Sequence, residues 1–223
     1  MRNRSRGLLA VAAWCACAGA RAAGGHFSVD DASLLEPGHC EEETWASHYD
    51  GGAQLLHAGV NCRVGPIEID GAGEHARGDG RSATAWNLEV KWAHELDEQW
   101  SVGADLQPIW ITQQHPNYAG TRFYAIATWH PLKSLAVNAN LGRDFGNGTR
   151  DLPRGGVSLE WQASEPWTLI VERYLENETH FVRAGAHWSP NGRWSVDLSR
   201  AQRLAGPNAS YWTLGITLPL AGD

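Results

Sequence analysis

Apolar and polar residues alternate with a period of two along most of the chain, as in strands whose two faces meet different surroundings. Over residues 84–94, Trp86, Leu88, Val90 and Trp92 share one face, while Asn87, Glu89 and Lys91 share the other. After Trp100, the residues Val102, Ala104 and Leu106 oppose Ser101, Gly103, Asp105 and Gln107. Phe123, Ala125, Ala127 and Trp129 form the next apolar side, and Leu135, Val137, Ala139 and Leu141 then alternate with Asn138, Asn140 and Gly142. Val157, Leu159 and Trp161 oppose Ser158, Glu160 and Gln162. Trp167, Leu169 and Val171 oppose Thr168 and Glu172, with Ile170 interrupting the polar face. Val182, Ala184, Ala186 and Trp188 oppose Arg183, Gly185 and His187; Trp194, Val196 and Leu198 oppose Ser195, Asp197 and Ser199. Trp212, Leu214, Ile216 and Leu218, against Tyr211, Thr213, Gly215 and Thr217, end a run of nine such segments. An all-β chain is expected.

Three less regular strands precede the run, over residues 40–49, 53–63 and 67–74. The total is then about twelve, an even number as in single-chain bacterial barrels. Connections at 94–99, 131–134, 163–166 and 189–193 are short. Those at 113–122, 144–155 and 200–210 are longer and rich in Gly, Pro and Asn, with a shorter turn at 174–179. This near-alternation matches short periplasmic turns and longer outer loops. Trp92, Trp129, Trp161 and Trp188 end strands before short turns, and Trp100, Trp167 and Trp194 begin strands after them. Indoles favour the headgroup boundary, so these seven predict an aromatic girdle at the short-turn end. The expected architecture is an antiparallel transmembrane up-and-down β-barrel over residues 40–220, facing the lipid bilayer with its apolar side. The rival is a soluble periplasmic β-domain, which would not normally collect tryptophan at one end of its core.

Composition agrees. The 223 residues include 12 Trp, 25 Gly and one Met, at a mean hydropathy of −0.38. That combination arises when only one face of each strand meets lipid. Arg2, Arg4 and Arg6, an apolar stretch over 7–18 and then Ala20-Arg21-Ala22 read as a cleaved signal peptide, residues 1–22. Trp14 stands directly before Cys15 and three residues before Cys17, which argues against lipidation there. Residues 23–39 are expected to form an N-terminal periplasmic segment. Cys40 and Cys62 then lie in an oxidising compartment. A hairpin turning at Asp50-Gly51-Gly52 sets them opposite one another, so a cross-strand disulfide is expected rather than two buried thiols. The net charge of −7, with no basic stripe, excludes a nucleic-acid partner.

The polar face supplies the lumen-lining candidates: Glu89, Lys91, Asp105, Gln107, Asn138, Asn140, Glu160, Glu172, Arg183, His187 and Asp197. A turn near Asn177 and Glu178 would make Glu172 face Arg183. Such groups either line a polar conduit for small solutes or pair into networks that fill the lumen. No enzyme is expected, and no metal or cofactor. His94, His115, His130 and His180 lie near turns without metal-ligand spacing, and no G-x-S-x-G occurs. Ser199 and His187 lie on neighbouring strands and point inward, whereas an outer-membrane phospholipase needs its Ser/His pair on the outer wall.

Val29-Asp30-Asp31-Ala32, Glu36-Pro37-Gly38 and the stretch from Glu41 to Trp45 resemble the opening of proteobacterial outer-membrane barrels of the phenol-degradation meta-pathway transporter type. The resemblance covers about twenty residues; it implies passage of small, often aromatic, compounds. The end, Leu218-Pro219-Leu220-Ala221-Gly222-Asp223, departs from barrel practice in lacking a final aromatic residue. The function expected is a small-solute channel in the outer membrane of a Gram-negative bacterium, inserted by the outer-membrane assembly machinery. The alternative is a barrel with a filled lumen and a structural or surface-interaction role.

Overall fold

The computed structural model describes residues 26–220. The signal peptide expected over residues 1–22 lies outside the described residues. Twelve strands run in chain order: β1 (Cys40–Tyr49), β2 (Gln54–Val64), β3 (Ile67–Gly78), β4 (Arg81–Glu95), β5 (Trp100–Ile111), β6 (Tyr118–Leu132), β7 (Leu135–Gly146), β8 (Leu152–Ser164), β9 (Trp167–Glu176), β10 (Thr179–Trp188), β11 (Ser195–Ala205) and β12 (Tyr211–Leu220). Each pairs antiparallel with its sequence neighbours, and β1 closes on β12 with Cys40 opposite Leu220 and Tyr49 opposite Tyr211. Closure matters because lipid offers no partner to an unpaired backbone N–H or C=O.

The three irregular strands are present with nearly their expected bounds. Gly51 and Gly52, at φ +101° and +92°, permit the tight first hairpin, which brings Cys40 opposite Cys62 and joins them in a disulfide. The loops differ from expectation. The connections expected over 113–122, 144–155 and 200–210 shrink to 112–117, 147–151 and 206–210. The ladder continues through Gly120, Gly146 and Pro153, residues that carry no alternation signal. The two ends therefore differ little in loop length. The near end, where β1 starts and β12 stops, is set apart by its indoles.

Outward residues form an apolar belt around the whole wall. Leu141 is 79% exposed and Leu214 57%. A soluble monomer does not expose such a belt; a barrel surrounded by lipid does. The near-end girdle holds all seven expected tryptophans. Trp92, Trp100, Trp129, Trp161 and Trp167 are exposed, and Trp188 and Trp194 are half-buried against one another, 5.4 Å between rings. A second aromatic group marks the far end on β4–β7 and β12, with Trp86 opposite Trp110, Tyr118 6.1 Å from Trp110, and Phe145 and Trp212 exposed. It escapes the sequence pattern because several of its members sit where strand ends were read as loop. Tyr118 and Trp129 bracket β6. They are separated by about 35 Å of extended chain, which a tilt of about 40° reduces to nearly the roughly 25 Å of an apolar band.

Replacing Leu214 with Arg puts a cation against the hydrocarbon layer, at a cost of about 2–4 kcal/mol near the midplane. Folding yield into lipid vesicles, read by heat-modifiable gel migration, should fall sharply. The lumen-facing change Thr213→Ser should leave it near the parent level.

Candidate functional site

Inside the wall the polar residues converge, and all eleven candidates face the lumen. Lys91, Asp105, Asn138, Asn140, Glu160, Glu172, Arg183 and Asp197 are buried, while Glu89, Gln107 and His187 are half-buried. Glu172 and Arg183 are directly opposed on β9 and β10, 3.2 Å apart and each 1% exposed. His187 Nδ1 meets Asp197 at 2.8 Å. Asn138 donates to Ser158 at 3.0 Å and to Glu160, and accepts from Thr128 at 2.8 Å. Gln107 donates to Glu89 at 2.8 Å and accepts from Arg122 at 3.0 Å.

What the sequence did not suggest is the occupant of the lumen. Residues 23–39 were read as an N-terminal segment ahead of the barrel; those described from His26 to Leu35 run inside the lumen. The reason is hydrogen-bond supply, because the inward groups offer acceptors and charges that a polar strap of chain satisfies. The Glu172 carboxylate accepts from the backbone N–H of Ser28 at 3.2 Å and of Val29 at 3.0 Å. Thr128 Oγ1 accepts from Ala32 N at 2.8 Å, and Glu68 accepts from Leu35 N at 2.6 Å. Arg183 donates to the His26 carbonyl and Arg63 to that of Leu35. Lys91 Nζ reaches Asp30 at 3.0 Å and Asp31 at 3.4 Å.

Small residues in the wall make room. A Cβ on Gly156 would lie 2.7 Å from Val29, one on Gly185 2.9 Å from Phe27, and one on Gly215 3.2 Å from His26. Toward the far end Val29 packs with Tyr174, Phe181, Ala201 and Tyr211, the apolar core of the lumen, with Tyr49 against it. Arg183 ties this layer to the segment, donating to Tyr174 at 2.8 Å and also to Tyr211. Above it a cavity of about 470 Å³ opens at the far end, lined by Tyr49, Phe181 and Tyr211 with Asp50, Asp79 and Glu176. At that rim a hydrogen bond from Arg200 holds the Asp50 carboxyl below its ordinary range. Beside the segment, between Ser28, Tyr124, Asn140 and Arg154, only about 10 Å³ remains, room for about one water.

Ser199 accepts or donates at 2.7 Å with Nε2 of His26, the geometry of a nucleophile and its base. His26 Nδ1 has no hydrogen-bond partner to orient it, and Ser199 is buried beneath the segment. That contact is therefore packing. The sequence carried two signals for the segment: glycines recurring on the polar face, at 103, 156, 185 and 215, and a lone lysine there, Lys91, among carboxylates.

With Cys40 and Cys62 joined, a cysteine placed at Ala32 reports on the segment. It should resist a maleimide in the parent. Adding Val29→Asp buries an unpaired charge beside Glu172, at a cost of several kcal/mol, and should speed labelling at least tenfold. Unchanged protection would show that Val29 does not anchor the segment.

A family model described as Uncharacterised conserved protein UCP029691 matches residues 10–220. No curated protein matches the chain significantly. The fold resembles the KdgM porin with a TM-score of 0.66 at 9% identity, over 81% of this chain and 99% of that one. It resembles the NanC porin with 0.61 at 13% identity, over 79% and 97%. For the COG4313 outer membrane channel from Pseudomonas putida F1 the score is 0.58 at 11% identity, over 87% and 100%. At these identities the likeness is one of fold, that of a porin-type barrel.

Proposed function

The chain belongs to the family of Uncharacterised conserved protein UCP029691, and from its lumen we propose a small-solute channel of the Gram-negative outer membrane, held shut by its own N-terminal segment. The near end faces the periplasm, so the segment returns into the lumen from the periplasmic side. The observation that carries the reading is how residues 26–35 are held. They are bonded to the wall by side-chain acceptors, two arginines and one lysine, and take no part in the strand ladder. Such ties exchange for water without breaking the barrel. Withdrawal of the segment opens the polar face to solutes, and the far-end cavity of about 470 Å³ is of a size that takes a small molecule. Its Tyr49, Phe181 and Tyr211 rings suit a planar solute, in keeping with the resemblance of residues 29–45 to transporters of aromatic compounds. Insertion would depend on the bilayer and on the outer-membrane assembly machinery.

A second reading has one observation in its favour. Asn138, Glu172, Arg183 and Asp197 are almost wholly buried, as befits a filled barrel with a structural role. Lys91 separates the two, since both its ion-pair partners belong to the segment. Lys91→Met removes two charge-assisted bonds, worth about 1.5–3 kcal/mol each, and leaves the carboxylates repelling one another. In planar bilayers the parent should be closed most of the time, and Lys91→Met should raise the open fraction tenfold or more. Silent bilayers from well-folded protein of both kinds would favour the structural barrel.

A further inference from the structure

Lys91 alone does not balance the carboxylates around it. Asp30 on the segment, Glu89 on β4 and Asp105 on β5 bring one oxygen each to within 4.8 Å of one another. Lys91 bonds Asp30 but is shared with Asp31, so the three carboxylates together carry more negative charge than their one ammonium cancels. Asp105 is the telling member. It is 1% exposed, it belongs to this cluster, and neither of its oxygens accepts a hydrogen bond from any described residue. A buried carboxylate with both oxygens unpartnered is costly and calls for a partner of opposite charge.

We propose that Asp30, Glu89 and Asp105 bind a divalent cation of the calcium type, which latches the segment to the wall. Carboxylate oxygens about 2.4 Å from one calcium ion lie no more than about 4.8 Å apart, so the spacing is that of a shared ion. All three ligands are hard oxygen donors, with no imidazole or thiolate among them, which selects calcium or magnesium over transition metals. Asp30 and Glu89 are half-buried, leaving a path for the ion and for waters that complete its shell. Two ligands come from the wall and one from the segment, so the bound ion opposes withdrawal. The binding site stands on its own geometry; its action as a latch rests on the closed-channel reading.

Terbium, a luminescent stand-in for calcium, provides the test on the refolded full chain after chelation. Terbium emission excited through the aromatic residues should appear with one-site saturation and be displaced by calcium. Asp105→Asn, which keeps the shape and halves the donor oxygens, should weaken binding at least tenfold, while Glu98→Gln, in the exposed turn between β4 and β5, should bind as the parent does. No emission from the folded parent up to millimolar terbium, or equal affinity in Asp105→Asn, overturns the site. Should Asp105→Asn fail to fold, calcium displacement from the parent still decides. For the latch, calcium at 100 times its dissociation constant should slow maleimide labelling of the Ala32→Cys chain by about 100-fold. Binding without slowing keeps the site and overturns the latch. Neither readout involves conductance, so failure here is distinct from failure of the channel reading.

Discussion

Everything in this protein follows from one requirement, that a chain in lipid must pair all its backbone groups within itself. The pairing of β1 with β12 meets it, since twelve strands joined at that seam have no edge. Once the wall is closed, the side chains have two places to go. Leucines, valines and indoles go outward, and whatever is polar is enclosed. The lumen is the enclosed counterpart of the lipid-facing surface, and its contents have to satisfy one another in a space with little water.

The N-terminal segment answers that second problem. Glu172 and Arg183 form a pair that would be poorly solvated alone; backbone N–H groups from Ser28 and Val29 donate to the carboxylate, and carbonyl and hydroxyl oxygens accept from the two terminal nitrogens of the guanidinium. Truncating one member of such a network strands the others, at a cost of about 3–5 kcal/mol for an uncompensated buried charge. The near half of the lumen is balanced differently. Lys91 answers several carboxylates from one position, where Glu172 and Arg183 meet one to one.

Most of the wall was legible because strand alternation records a difference between two environments, and lipid against lumen is as large a difference as a protein meets. Trp92 to Trp194 located the near-end girdle for the same reason. The alternation fades where the environments converge. At the far end Gly120, Gly146 and Pro153 carry on the ladder with no side chain to mark a face, and loop lengths were overestimated there. The eleven lumen residues were identified by facing, but their roles were not, since facing says nothing about what stands opposite. Residues 26–35 form no strand and obey no period. Their position depends on Glu172, Thr128 and Lys91, contacts more than fifty residues away along the chain, which no local pattern reveals.

The disulfide acquires a meaning beyond the first hairpin. It fixes Cys40 to β2 immediately after the segment ends, so the segment is a tether with an immovable anchor. Fourteen residues, from His26 to His39, join the lumen contacts to that anchor. On so short a leash the segment meets its contacts in the lumen at an effective concentration of about millimolar, whatever the concentration of the protein. Docking of the segment is then a first-order event within each molecule, independent of its neighbours.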